Sequence, residues 1–232
     1  TFNFYDFNTK LSFKPTKNDL ITFSFYKGED NLNESSDTKR YQYPQFGDIE
    51  KIEIIGDLDR VSRWGNEGYS FKWSRQWNPK FYNSLNISYS EYYNFQDDSY
   101  FVEAVIPDID STIFDFNLKL DQDNSVKDFT ARYDGEIVSG KNNRFEFGLE
   151  YTKSDVDYLF LRDDTLRIND TEQEAKLYSG YLSYDLKSVR NLNLKIGIRA
   201  NRYGLNDKNY FSPRFQADYS ISDKLKIKGS YG

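Results

Sequence analysis

The chain contains no cysteine, no histidine and no methionine among its 232 residues. Without cysteine it can form neither a disulfide framework nor a thiolate metal site. Without histidine and cysteine it cannot assemble a Ser-His-Asp or a Cys-His catalytic site, so we predict that it is not an enzyme and needs no cofactor. The missing methionine indicates that the chain is a processed or cut piece of a longer protein.

Long apolar runs and an excess of positive charge are also missing. No apolar run approaches the about 20 residues of a membrane-spanning helix, so any crossing of a membrane must be made by strands. The formal net charge of −6 gives no electrostatic reason for nucleic acid binding. Hydrophobic residues make up only 38% of the chain, fewer than the core of a soluble β-sandwich would need.

Aromatic residues are abundant and recur in alternation with polar ones. They make up 18% of the chain, which excludes global disorder at a mean hydropathy of −0.82. In the segment 81–95 the odd positions are mainly apolar, such as Leu85 and Ile87, and the even positions are mainly small and polar, such as Ser84 and Ser88. A strand sends successive side chains to opposite faces, so one face is apolar and the other polar. This repeated pattern predicts an all-β fold, an antiparallel transmembrane β-barrel with lipid outside and a polar lumen inside.

Short turn sequences divide the alternating segments into hairpins. We count about ten strands in five hairpins, with turns at 15–19, 78–80, 140–143, 187–190 and 222–224. The connections at the opposite end are charged, and we expect long loops there at 27–62, 96–125 and 160–171. Short turns at one end and long loops at the other are typical of outer-membrane barrels.

One alternating segment lies inside an expected loop. Residues 113–120 carry Phe114, Phe116, Leu118 and Leu120 at every second position. If this segment were a strand of the barrel wall, the short turns and the long loops of all later hairpins would exchange ends of the barrel. We therefore predict a β extension above the membrane, paired with residues 100–106.

Two regions resemble a known family. The sequence Asn-Tyr-Phe-Ser-Pro-Arg-Phe at 209–215, with 219–225 and 228–232, resembles the mid-barrel strand pair of TonB-dependent outer-membrane receptors. Arg-Trp-Gly-Asn at 63–66, followed by Trp-Asn-Pro-Lys-Phe at 77–81, is similar to a hairpin of receptors in this family that carry a carboxypeptidase-regulatory-like N-terminal extension. The resemblance implies a barrel of about 22 strands closed by a plug. Residues 1–232 would be a single partial barrel domain of about ten strands, with neither plug nor TonB box.

The resemblance also implies a function and partners. It implies a receptor in the outer membrane of a Gram-negative cell that captures a nutrient ligand with extracellular loops. A TonB-type energy-transducing protein would then move the plug of the same receptor, and a surface lipoprotein is a further partner to consider. Two alternatives stay open at this point: a passive outer-membrane channel, and a soluble aromatic-rich domain that binds glycans.

Two sets of residues are candidates for the functional site. Aromatic rings stack on flat ligands and arginine binds carboxylates or phosphates, which suggests substrate contacts in the expected loops. This first set is Arg40, Tyr41, Tyr43, Arg60, Arg63, Trp64, Tyr100, Phe101 and Arg162. Charged residues of the polar strand face form the second set, predicted to hold the plug or line the substrate path. This second set is Lys72, Arg132, Asp134, Glu146, Glu150, Lys195, Arg199, Arg214, Asp218, Lys226 and Lys228.

Other notable residues have simpler interpretations. Trp77, Phe81 and Tyr89 lie on the apolar face of their strands, and we predict that they belong to the aromatic girdles of the barrel. The polar run 121–125 weakly resembles a calcium-binding loop, but it lacks the turn glycine and the terminal glutamate. We therefore predict a plain turn at this run and no metal site.

Overall fold

The computed structural model describes residues 1–36, 39–43, 51–106, 111–140, 143–189 and 191–232. The regular structure in these ranges consists of strands. The eleven strands are β1 (Phe2–Phe13), β2 (Asp19–Ser35), β3 (Lys39–Tyr43), β4 (Ile52–Asn78), β5 (Phe81–Ile106), β6 (Ser111–Ser139), β7 (Asn143–Arg162), β8 (Leu166–Val189), β9 (Leu192–Tyr203), β10 (Lys208–Ser222) and β11 (Leu225–Tyr231). Within the described ranges, no helix has the length and hydropathy of a membrane span.

All strands belong to one antiparallel sheet whose order follows the sequence. Ten of them form the path β1-β2-β4-β5-β6-β7-β8-β9-β10-β11, which confirms the predicted count. The additional strand β3 pairs with β4. It continues the pairing that β2 begins, because Ser35 lies opposite Asp59 and Lys39 lies opposite Gly56.

The five predicted turns separate consecutive strands as expected. Each lies at the junction of two wall strands, although β8 includes 187–189 of the turn predicted at 187–190, and residues 141–142 and 190 fall outside the described part of the chain. Gly140 has φ 68° and Asn191 has φ 64°. Glycine has no Cβ to clash in this left-handed conformation, and asparagine tolerates it better than most residues do. The glycine of the predicted 140–143 turn therefore matches the backbone, whereas Asn191 lies one residue beyond the predicted 187–190 turn.

The prediction of long loops at the opposite end is wrong. Strands β4, β5 and β6 run for 27, 26 and 29 residues, through most of the segments expected to be loops. The segment 160–171 contains only a three-residue turn at 163–165. Charged residues suggested loops, but their side chains alternate along continuous strands. Segment 113–120 lies in β6 and pairs with the end of β5, for example Phe116 with Val102, as predicted.

The register places the two chemistries on opposite faces. Phe23, Phe71 and Ile87 lie side by side on three neighbouring strands, and we call their side of the sheet the lipid face. Ser24, Ser70 and Ser88 form the matching row on the other side, which we call the lumen face. Aromatic rings pack across strands on the lipid face, with the ring centroids of Phe23 and Phe71 5.1 Å apart.

In the described part of the chain, no protein layer covers the lipid face. Among the described residues, Ile52 is the single buried hydrophobic residue, while Ile87 is 37% exposed and Leu149 is 67% exposed. On the lumen face, by contrast, Ser74 and Ser84 are buried. A soluble sheet would bury its apolar side against a second layer of protein. The exposed apolar side therefore fits a sheet covered by lipid.

The apolar band has the height of a membrane core. On β5 it runs from Phe81 to Tyr89 with Asn83 as a polar interruption, roughly 27 Å along the strand, which a tilt of about 40° reduces to roughly 21 Å. This is close to the about 25 Å of lipid-facing bands in outer-membrane barrels. Beyond it, Lys27, Glu67, Glu91 and Lys127 lie side by side. This charged row contains the ion pairs Lys27–Glu67 at 3.3 Å and Glu91–Lys127 at 3.8 Å.

Arginine substitutions on the two faces should have unequal costs. We expect Leu85→Arg or Ile87→Arg to lower the free energy of unfolding in a lipid bilayer by about 2–4 kcal/mol, because the charge would enter hydrocarbon. The matched control Ser88→Arg should change it little, since its side chain enters the lumen. Denaturant unfolding of the bilayer-inserted protein measures both. Similar costs on the two faces would contradict the assignment of lipid and lumen.

Candidate ligand surface and lumen network

The strands β4, β5 and β6 continue past the charged row, and there their polarity reverses. We call the part formed by residues 52–62, 96–106 and 111–121, together with β3, the extension. Its lumen side carries rows of apolar side chains, for example Leu58 beside Tyr100 and Leu118. Its opposite side carries mainly acidic and polar side chains such as Asp97 beside Asp121. Outside a membrane, the side facing open water is the polar one, and the lumen side becomes the apolar surface.

The predicted substrate contacts lie in strands and not in loops, which corrects their expected location. They occupy β3, β4, β5 and the last residue of β7. The register divides them between the two sides. On the lumen side are Tyr41, Tyr43, Arg60, Trp64, Tyr100 and Arg162; on the opposite side are Arg40, Arg63 and Phe101. One surface therefore cannot include all nine residues. Arg40 instead lies 3.3 Å from the Glu53 carboxylate.

An ion pair marks the base of this apolar surface. Arg60 Nε donates a hydrogen bond of 2.8 Å to Asp98 Oδ1, and Gln96 Nε2 donates one of 2.8 Å to Asp98 Oδ2. Asp98 is only 6% exposed. Its hydrogen bond and its charge raise the pKa of Arg60 above the ordinary value. Arg162 on β7 lies in the same lateral row, three strands from Arg60, so two guanidinium groups border the apolar surface.

The sequence reading missed the aromatic residues of β6 as site candidates. Phe114 and Phe116 lie on the lumen side of the extension and are 53% and 39% exposed. Their alternation was visible in the sequence and predicted a strand. The pairing to Ala104 and Val102 adds what the sequence did not show, that they share a side with Tyr100.

The opposite side of the extension is held by one lysine. Lys119 Nζ lies 2.7 Å from Asp164, 3.4 Å from Asp97 and 3.6 Å from Asp121. The hydrogen bond from Lys119 lowers the pKa of Asp164, and the same bond raises the pKa of Lys119. Desolvation raises the pKa of Asp121. Because Asp163 Oδ1 also accepts a hydrogen bond from the Lys119 backbone, these contacts fix the turn 163–165 to β6.

The run 121–125, weakly similar to a calcium loop, lies within β6. It is a strand and not the plain turn that we predicted, so its side chains alternate between the two sides of the sheet and cannot surround one ion. No group of three or more acidic residues in the described chain is arranged to hold a metal.

The lumen face of β6 to β9 carries a network of charged side chains. Arg132 Nε lies 2.8 Å from Asp134 Oδ2, and Tyr181 donates its hydroxyl to Asp134 Oδ1 at 2.7 Å. Glu150 lies 2.8 Å from Arg199 and 3.5 Å from Arg132. Two of these contacts, Tyr181–Asp134 and Arg199–Glu150, reach across an intervening strand, because β6 and β8 are not neighbours, nor are β7 and β9.

A second carboxylate extends this network. Glu146 Oε2 accepts hydrogen bonds from Lys195 at 2.7 Å and from Ser183 at 2.9 Å. A cavity of about 520 Å³ lies over these residues and is also bordered by Arg214. All residues of the second predicted set lie on this lumen face, as their parity indicated; their contact with a plug or substrate stays a prediction. Within the described residues, Lys72 and Arg214 have no ion-pair partner.

The predicted girdle residues lie at the two borders of the apolar band. Near the short turns, Trp77 donates its indole N–H to Asn83 and stacks with Phe81, with ring centroids 6.5 Å apart. The Arg75 guanidinium lies 4.3 Å from the centroid of the Trp77 ring. At the other border, Tyr89 donates its hydroxyl to Glu91 in the charged row. Aromatic rings with one polar end are suited to such borders.

Comparison with known proteins connects the chain to solved structures only. No protein-family model matches the chain, and no curated protein matches its sequence. It is similar to FpvA of Pseudomonas aeruginosa bound to a heterologous pyoverdine and iron, at 10% identity over 98% of this chain and 40% of FpvA, with a TM-score of 0.54. It is also similar to BauA, the ferric preacinetobactin receptor of Acinetobacter baumannii, at 9% identity over 99% of this chain and 46% of BauA, with a TM-score of 0.49. A mutant ferric enterobactin receptor of Pseudomonas aeruginosa matches at 9% identity over 99% of this chain and 43% of the receptor, with a TM-score of 0.42.

The likeness to FpvA shows the fold. The chain spans less than half the length of each matched receptor. At 10% identity, the likeness to FpvA shows shared architecture alone, namely the wall of an antiparallel β-barrel. The predicted fold class is confirmed. That the chain is not an enzyme stays a prediction.

Loss of Arg60 should loosen the extension selectively. Arg60→Ala would leave the buried Asp98 carboxylate without its cation, and a buried unpaired charge opposes local folding. We expect amide hydrogen exchange in 94–102 to increase several-fold while exchange in 82–90 stays unchanged. Arg63→Ala is the matched control, because Arg63 lies on the opposite side and has no ion pair among the described residues. Unchanged exchange in Arg60→Ala would contradict a structural role of the pair.

The lumen network should show energetic coupling between β7 and β9. We expect a double-mutant cycle with Glu150→Gln and Arg199→Gln to give a coupling of about 0.5–1 kcal/mol in unfolding free energy, as for partly exposed ion pairs. A cycle with Glu150→Gln and Lys72→Gln should give none, because Lys72 lies far away on β4. Additive effects of the first pair would show that the ion pair contributes nothing.

Proposed function

We propose that the chain is part of the barrel wall of a TonB-dependent receptor in the outer membrane of a Gram-negative cell. In this proposal the extension projects into the extracellular space and captures a nutrient ligand. The observation that carries the proposal is the reversal of polarity above the charged row. Only strands that leave a membrane and surround an opening have reason to turn an apolar, aromatic side inward there.

The proposed ligand surface is the lumen side of the extension. Tyr41, Tyr43 and Tyr100 lie on that side, as do Phe114 and Phe116. Their rings are available for stacking on a ligand. Arg60 and Arg162 at the border supply positive charge for an anionic group of the ligand. The named ligands of the matched receptors include ferric siderophores, which makes these molecules the first probes to test.

The proposed mechanism requires partners beyond this chain. The charged network of β6 to β9 would hold a plug domain of the same receptor through salt bridges. A TonB-type energy-transducing protein would move that plug, so uptake would depend on the proton gradient. The resemblance of the 63–66 and 77–81 segments further suggests a receptor with a carboxypeptidase-regulatory-like N-terminal extension, and a surface lipoprotein would be an additional partner.

Ligand capture and energised uptake can be tested separately in the intact protein. Of the three tryptophans in the chain, Trp64 alone lies on the lumen face. We expect binding of a ferric siderophore to quench the tryptophan fluorescence of the intact protein. The substitution Trp64→Phe should remove part of this quenching. Phe114→Ala with Phe116→Ala should weaken binding about thirtyfold, because stacking contributes on the order of 1 kcal/mol per ring and two rings are lost.

Uptake by cells then distinguishes the alternatives. A protonophore should stop accumulation of the bound siderophore without affecting its capture at the surface. Accumulation that persists under the protonophore would indicate a passive channel. Recovery of the intact protein as a monomer in buffer, away from membranes, would indicate a soluble domain and end the proposal.

A further inference from the structure

The lumen face divides into two sectors of different chemistry. The first comprises residues 8–12 of β1, 20–26 of β2, 68–76 of β4 and 82–90 of β5, and we call it the hydroxyl sector. Its lumen positions include seven serines, and they contain neither aspartate nor glutamate. The serines are Ser12, Ser24, Ser70, Ser74, Ser84, Ser88 and Ser90.

The lumen positions of β6 to β9 differ from those of the hydroxyl sector in their charge. On β6 to β9 the lumen positions are rich in charged residues, and ion pairs join them across strands, as for Glu150–Arg199 and Glu146–Lys195. We call this part the charged sector. Both sectors belong to one sheet and meet the same lumen, so a general need for a wet interior does not explain their difference.

The hydroxyl sector is continuous in both directions. Laterally, Ser24, Ser70 and Ser88 lie side by side on β2, β4 and β5. Along β5, polar side chains from Ser84 to Ser90 occupy four consecutive lumen positions, a distance of roughly 20 Å. The sector therefore offers hydroxyl and amide groups over most of the height of the apolar band.

The charges in this sector are two unpaired lysines. Lys10 and Lys72 are exposed on the lumen face, and neither has an ion-pair partner in the part of the chain that the structure describes. They border a concavity of about 400 Å³ that Thr22, Gln76 and Tyr82 also line. Positive charge without neighbouring carboxylates gives this groove a positive potential, which attracts anions.

The two sectors suit different tasks. Hydrogen bonds between neutral groups contribute about 0.5–1.5 kcal/mol each, and charge-assisted ones roughly twice as much. A moving solute can exchange weak hydroxyl contacts with water one at a time, whereas paired charges favour a fixed partner. We propose, on the basis of the proposed function, that the hydroxyl sector is the wall of the ligand passage. It accepts a polar solute that carries hydroxyl groups and an anionic group, while the charged sector holds the plug.

Cysteine labelling of the intact protein tests this inference. The 232 residues contain no cysteine, so single substitutions report on chosen sites once the parent protein is shown not to react. Ser70→Cys and Ser88→Cys report on the hydroxyl sector, and Ser183→Cys reports on the charged sector. Ala131→Cys on the lipid face is the control for nonspecific reaction. The probes are two membrane-impermeant methanethiosulfonates of similar size, one anionic sulfonate and one quaternary ammonium cation.

The proposal predicts a pattern of rates. Ser70→Cys and Ser88→Cys should react, while Ser183→Cys behind the plug and Ala131→Cys in lipid should not. The anionic reagent should modify Ser70→Cys faster than the cationic one, by about tenfold, because one unit charge at roughly 6 Å in water changes each rate about threefold in opposite directions. Lys10→Gln with Lys72→Gln should remove this preference, and Lys10→Arg with Lys72→Arg should retain it.

Three results would overturn the inference. They are equal rates of labelling in the two sectors, no labelling in the hydroxyl sector, and a charge preference that survives removal of both lysines. If the labelling follows the prediction but uptake is unaffected by the protonophore, the energised mechanism is contradicted. The inference that the hydroxyl sector lines the passage then still holds. The two proposals therefore fail in distinguishable ways.

Discussion

Every backbone N–H and C=O group inside a lipid layer must be paired within the protein, and here the neighbouring strand supplies the partner. The pairing is continuous along strands of up to 29 residues. It fixes the register, and the register fixes which side chains share a face. A slip of one residue would exchange the two faces, placing Ser88 in lipid and Ile87 in the lumen. Girdles, charged row and lumen network all depend on this pairing.

The alternation predicted most of the wall because it is a local property. It identified the turns, the number of wall strands and the face of each charged residue from Lys72 to Arg214. It failed at the strand ends, where charge density suggested loops although the strands continue with their polarity reversed. Parity alone could have separated Arg63 from Trp64, since adjacent residues of a strand point to opposite sides.

Contacts between distant segments could not be derived from the sequence. Arg199 and Glu150 are 49 residues apart, and their contact depends on the register of two successive strand pairs. The partition of the lumen face has the same origin. Serines spread over β1, β2, β4 and β5 look like ordinary polar positions until the pairing places them together. The apolar side of the extension became evident in the same way, once Phe116 was aligned with Val102.

The reversal of polarity above the charged row also bears on how the chain enters the membrane. A strand with the same apolar and polar alternation along its whole length could shift along its own axis by two residues and still present apolar side chains to the hydrocarbon. Here such sliding would drag the carboxylates of Glu67 and Glu91 into the acyl chains. The reversal therefore fixes the depth of the strands in the bilayer and which of their ends lies on which side, independent of any loop.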